Sequence, residues 1–139
     1  MIDTNIFISA ALFPNGRTAA ALMKAMIDPF EPVVCDYVIE ELHRKFQEKF
    51  PDKRIEMEAF LYSALQSIEV VHTPTEVSSV ELKIRDVKDR PILRSALNEG
   101  ADLFLTGDKD FLESSVADPR IVNVNDFLSL SVKEDHMIV

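Results

Sequence analysis

Short apolar runs with strand character alternate with longer amphipathic segments along this chain, and that alternation most restricts its fold. Parallel neighbours need a long, usually helical crossover between them, so the pattern predicts an α/β fold around a mainly parallel sheet. The strand candidates are Met1-Ile2 with Asp3 at the margin, Val33-Val34-Cys35, Ile68-Glu69-Val70-Val71, Leu103-Phe104-Leu105-Thr106 and Ile121-Val122-Asn123-Val124, about five strands in all. One helix is expected to start near Gly16-Arg17-Thr18 and to stop at Pro29. A second opens with Asp36 as N-cap and repeats Val38, Leu42, Phe46 and Phe50 at every fourth position. A third carries Ile55, Ala59, Leu61, Tyr62 and Leu65. Thr73 to Lys83 reads as loop with a helical turn. The clearest helix follows Asp89, with Pro91 in its first turn, Ile92, Leu93, Ala96 and Leu97 as its stripe, and Gly100 at its end. Asn125 or Asp126 is expected to cap a last short helix.

The 139 residues suit one domain spanning 1–139, with 47% hydrophobic and 28% charged residues pointing to a folded globular chain rather than disorder. No apolar run approaches the roughly 20 residues a membrane helix needs, and no signal-peptide pattern opens the chain. A single cysteine, Cys35, sits in an apolar run and fits a buried thiol in the reducing cytoplasm. The formal net charge of −9 weighs against a polynucleotide partner if taken alone. Charge distribution decides, however, and Arg85-Asp86-Val87-Lys88-Asp89-Arg90 interleaves bases with acids.

Acidic motifs stand where strands end. Asp3-Thr4-Asn5 follows the first, Asp108-Lys109-Asp110 follows Thr106-Gly107, and Asp86 with Asp89 precedes the clear helix. Each has a plain structural use, as a turn, a cap or a solvated charge. Gathered at the carboxyl edge of a parallel sheet, where ligands of open α/β sheets bind, they instead form a pocket of mutually repelling carboxylates that needs a cation. Glu40 and Glu41 flank opposite sides of their helix stripe; Glu40 can pair with Arg44 and Glu41 with Lys45, and periodicity leaves the choice between them open.

An oxygen-only donor set suits Mg²⁺ or Mn²⁺. Cys35, His43, His72 and His136 lack zinc-like spacing, and three glycines form neither a phosphate loop nor a dinucleotide fingerprint. No Gly-x-Ser-x-Gly nucleophile motif occurs.

Asp3-Thr4-Asn5, Val38-Ile39-Glu40-Glu41-Leu42, Arg85-Asp86-Val87-Lys88-Asp89 and Leu105-Thr106-Gly107-Asp108-Lys109-Asp110-Phe111, in this order and spacing, resemble the PIN-domain nucleases, broadly the VapC-type toxin components of toxin–antitoxin pairs. The resemblance spans essentially the whole chain. It implies a three-layer α/β/α fold and an acidic site for one or two Mg²⁺ or Mn²⁺ ions. By position, Asp3, Glu41, Asp89 and Asp108 match the four family acids, with Asp86 a neighbouring ligand and Asp110 an additional one. Asn5 and Thr106 match supporting polar neighbours, and Glu40 becomes a surface residue. The implied activity is hydrolysis of RNA phosphodiester bonds, with the carboxylates holding ions rather than attacking phosphate. Arg85, Lys88, Arg90 and Lys109 are the candidates for positioning the RNA backbone. A cognate antitoxin protein and a homodimer are the implied partners. Only Met1 and Ile2 precede the first acid, where the family has a longer strand, so the central strand is expected to be short.

Two other readings compete. A catalytically weak PIN-like module binding RNA or protein has no need of the full acid set. A Mg²⁺-dependent phosphohydrolase of small phosphate esters would want a second aspartate two residues after Asp3, where Asn5 stands.

Overall fold

The computed structural model describes residues 1–131; His136 lies outside them. Two parallel strand pairs form the sheet. Strand β1 (Val33–Cys35) pairs with β2 (Glu69–Val71), and β3 (Leu103–Leu105) pairs with β4 (Arg120–Val122). Between the pairs lies the amino-terminal segment. Ile2 bridges Leu105 in parallel, Ile2 N donates to Val33 O (3.1 Å), and Asp3 N donates to Leu105 O (3.0 Å). The spatial order is therefore β2, β1, Met1-Ile2, β3, β4. The expected five strands resolve into four strands and one bridge, as the two residues before Asp3 are too few for a longer ladder. Exposure follows this order. Val34, Cys35, Phe104 and Leu105 are buried, whereas Glu69 and Val70 of β2 are exposed at the sheet's edge, where a charge discourages further strand pairing.

Helices supply the covering layers of this α/β/α fold. Helix α1 (Thr4–Leu12) packs on α2 (Arg17–Ala25), and α3 (Asp36–Lys49) touches α1, α4 (Arg54–Ala64) and α5 (Arg90–Glu99). Helix α6 (Lys109–Leu112) follows β3, and α7 (Val124–Ser129) packs on α2. Buried Phe7, Leu22, Val38, Leu42, Phe46, Leu93, Phe104 and Phe111 belong to one continuous core.

Four local features differ from the sequence reading. Helix α1 was not foreseen; its sequence Thr4-Asn5-Ile6-Phe7-Ile8 is apolar and β-branched, and tertiary burial of Ile6, Phe7 and Ala10 overrides weak helix propensity. Asp36 begins α3 but does not cap it. Its Oδ1 instead accepts from Thr73 N (3.0 Å) and Thr73 Oγ1 (2.6 Å), joining α3 to the end of β2. The cap of α7 is Asn123, whose side chain accepts from Asp126 N (2.7 Å), because the strand stops two residues earlier than expected. In α4 the buried positions are Met57, Leu61 and Ala64, leaving Ile55 and Tyr62 on the solvent side. The Pro91 start of α5 stands as expected, and so does its Gly100 stop, where φ of 64° is left-handed backbone that glycine adopts without strain.

Candidate metal centre

Asp3 ends the amino-terminal segment between β1 and β3, at the carboxyl edge of the parallel strands. It is 3% exposed. One carboxylate oxygen accepts from Thr4 N (2.8 Å), capping α1, and the other accepts from Thr106 Oγ1 (2.7 Å) beyond β3. Thr106 Oγ1 in turn accepts from Asp108 N (2.9 Å), and Asp108 Oδ1 accepts from Asp110 N (2.9 Å) at the start of α6. This relay fixes Asp3 and Asp108 relative to one another across two strand ends. Burial is the main force pushing Asp3 up to about 6, with Asp108 and Glu41 adding to it against the opposing hydrogen bonds from Thr106 and Thr4.

Asp86 and Asp89 divide the local duties. Asp86 Oδ1 accepts from Lys88 N (3.0 Å) and caps the short 3₁₀ turn Val87–Asp89. Asp89, half-buried at the mouth of α5, makes no side-chain capping bond. Burial first, then the charges of Asp108, Asp3, Asp86 and Glu41, push it up to about 7. A carboxyl so placed is hard to ionise without a cation beside it.

Glu41 is buried and Glu40 exposed, which resolves the choice that the helical repeat left open. The expected pairing of Glu40 with Arg44 does not form: Arg44 Nη2 lies 3.6 Å and Lys45 Nζ 3.9 Å from Glu41. Asp110 is ion-paired with Arg85. Carboxylate oxygens of Asp86, Asp89 and Asp110 come within 4.8 Å of one another. Four separate elements therefore bring six acids together, Asp3, Glu41, Asp86, Asp89, Asp108 and Asp110, either by direct proximity or through mutual charge.

The donor set fits a hard divalent ion. It is all oxygen, it holds two acids raised far above the ordinary carboxylate value, and Cys35 is buried in the core rather than among the acids. Thr106 is buried within the relay. Asn5 is exposed on the first turn of α1 and makes no side-chain hydrogen bond among the described residues. Of the basic candidates, Lys88 and Lys109 are exposed, Arg85 engages Asp110, and Arg90 Nε donates to Ile84 O (2.9 Å) as a structural tie. Tyr37 was not foreseen. It precedes Glu41 by one helical turn, and its hydroxyl reaches Lys88 O (2.6 Å); only the i,i+4 relation to Glu41 could have drawn attention to it. A cavity of about 320 Å³ bordered by Met1, Val33, Glu69 and Leu103, at the opposite ends of the strands, contains none of the six acids.

Residues 1–110 match the family model described as PIN domain. The solved structure of VapBC2 from Rickettsia felis bound to a DNA fragment from their promoter aligns with a TM-score of 0.68 at 16% identity, covering 88% of this chain and 96% of that chain. Identity at that level speaks to the fold alone. No curated protein matches the chain.

Proposed function

The chain belongs to the PIN-domain family, and on that premise we propose that it is a metal-dependent endoribonuclease, the toxin of a type II toxin–antitoxin pair. One observation carries the nuclease reading. Six acids from four elements meet at the carboxyl edge of the sheet, and two of them are held at about 6 and about 7 by burial and mutual repulsion. Asp3, Asp86 and Asp108 also cap helix starts, but capping does not call for the burial and mutual repulsion found here, which a divalent ion relieves.

Asp3, Glu41, Asp89 and Asp108 are the residues proposed to hold Mg²⁺ or Mn²⁺, with Asp86 and Asp110 at the outer side. Bound there, a divalent ion lowers the pKa of water and neutralises charge developing on a phosphodiester. The protein's part is to fix the carboxylates. Thr106 steadies Asp3, Asp86 shapes the turn before Asp89, and the buried stripe of α3 sets the direction of Glu41. Arg85, Lys88 and Lys109 border the acids and are proposed to meet RNA phosphates, with Arg90 holding its own loop. The toxin reading, with an antitoxin protein as partner, a homodimer and action in the cytoplasm, rests on the family and on the fold likeness. No helix among the described residues is long and apolar enough to cross a membrane.

The test is cleavage of a structured RNA pool in Mn²⁺, in Mg²⁺ and in EDTA, with Asp3→Asn as the control for contaminating nuclease. Cutting is expected only with metal, and Asp3→Asn is expected to lose at least ~100-fold, since even residues that merely orient metal ligands cost 10–100-fold. Glu40→Gln should cut like the parent, because Glu40 points to solvent. Undiminished cutting in EDTA, or full activity in Asp3→Asn, would overturn the reading.

A further inference from the structure

Asp89 has no hydrogen bond from its own side chain at the helix start, so its place is set by the backbone of the turn that carries it. That turn, Val87–Asp89, is short, surface-exposed over Val87 and Lys88, and carries one acid, Asp89, beside Lys88. Asp86 caps it from the preceding position. The charges of Asp86 and Glu41 both bear on Asp89, and that repulsion opposes close approach of the turn to α3.

The phenol of Tyr37 spans that gap. Tyr37 lies in the first turn of α3, and this turn is anchored at its other side. Asp36 Oδ1 holds both the Thr73 amide and hydroxyl, and Tyr37 N lies 3.3 Å from Thr73 Oγ1. From this fixed base the half-buried ring extends across 51 residues of sequence separation, and its hydroxyl donates to Lys88 O at 2.6 Å. Glu41 stands one turn further along the same helix face. The charged groups around the ring are Glu41, Arg44, Asp89 and Asp86, and the hydroxyl is raised above its ordinary value by burial first and then by those acids, with Arg44 opposing. Tyr37 thus touches the space between the helix of Glu41 and the turn of Asp86 and Asp89.

We propose that Tyr37 is a positioning residue for the metal centre: its hydroxyl ties the Lys88 carbonyl to α3 and so sets the separation of Asp89 from Glu41. This rests on the reading of the acids as metal ligands. The bond does not hold up the core. Lys88 is exposed, and water replaces the phenol at its carbonyl when the hydroxyl is removed. Loss of the tie therefore loosens the ligand geometry while leaving the fold in place, as expected of groups that orient ligands without binding the ion.

The experiment is Mn²⁺ titration by calorimetry on the parent, Tyr37→Phe and Asp89→Asn, beside melting curves of each in EDTA. Tyr37→Phe is expected to weaken Mn²⁺ by about 10-fold or more with an unchanged melting temperature in EDTA. RNA cleavage should recover at saturating Mn²⁺, so the defect lies in metal affinity rather than in kcat. Equal Mn²⁺ affinity in Tyr37→Phe and the parent would overturn the assignment while leaving the metal centre intact. A matching drop in melting temperature in EDTA would make Tyr37 a structural tie and overturn it equally. No Mn²⁺ binding by the parent, or undiminished binding by Asp89→Asn, would remove the centre itself and this inference with it.

Discussion

Asp89 is held at about 7 by its surroundings and Asp3 at about 6, against an ordinary 3.8 that both regain when the chain unfolds. The folded state therefore binds protons more tightly than the unfolded one between those values. In metal-free protein the stabilisation is full below about pH 4 and is lost as pH rises through 6 and then 7. Melting temperature in EDTA is expected to fall over that window, and Mn²⁺ at pH 7.5 should restore it. Asp89→Asn removes the charge that is hardest to accommodate. It is expected to melt a few degrees higher than the parent in EDTA at pH 7.5, while losing Mn²⁺ binding and at least ~100-fold in cleavage. A variant that melts lower and gains nothing at pH 7.5 would show that repulsion at this site is not what shapes its stability. Part of this was legible in the sequence. The acids at strand ends could be named because their chain positions follow from the α/β alternation. Glu41 could not be separated from Glu40 by periodicity, as both flank the same stripe; only packing of Val38 and Leu42 decides which one turns inward. Tyr37 was not legible, since its partner lies 51 residues away.

Among the elements, those with contrast between their faces were readable and those without it were not. Helix α5 has Pro91, a clear stripe and Gly100, and its limits follow from these residues. Helix α1 is apolar on nearly every side, and a helix without a polar face leaves no period to detect. The 3₁₀ turn Ser79–Lys83 lay in a stretch of weak signal, and its buried acid is held in part by a partner outside that stretch. Glu81 is buried within it and Arg94 of α5 grips both carboxylate oxygens, at 2.7 and 2.9 Å, while Nη1 donates to Pro74 O (2.9 Å). The hydrogen bonds from Arg94 hold the Glu81 carboxyl below its usual value. Ser78 N adds a further bond to Glu81 at 3.1 Å, completing a capping box. Removing one partner of such a pair leaves a buried charge unmatched. Arg94→Ala is thus expected to cost about 3 kcal/mol, read as a lowered urea midpoint. Arg94→Met combined with Glu81→Leu should recover most of it, since the apolar pair leaves no charge behind. If Arg94→Ala costs no more than an exposed substitution, water already satisfies Glu81 and the turn is held by other contacts.

Over the whole molecule, a net charge of −9 must coexist with the polyanionic substrate proposed for it. Acids concentrate at one edge of the sheet, and the bases beside them are few. Arg90 donates to Ile84 O, and Arg44 and Lys45 lie against Glu41, so the bases proposed to meet phosphates are Lys88, Lys109 and, once it exchanges Asp110 for phosphate, Arg85. Binding to single-stranded RNA through three cations releases few counterions, at about 0.7 per phosphate contact. The logarithm of RNA affinity against the logarithm of salt, measured at fixed saturating Mn²⁺, is therefore expected to have a slope of about −2. Exchanging Lys88 or Lys109 for Gln should each reduce that slope by about 0.7, with the metal affinity unchanged. A slope much steeper than this would require a basic surface away from the acidic edge, and the 15 Lys and Arg against 24 Asp and Glu make such a surface hard to assemble from this chain alone. A shallow slope with tight binding would move recognition toward contacts with the bases, and so toward a narrow set of RNA targets.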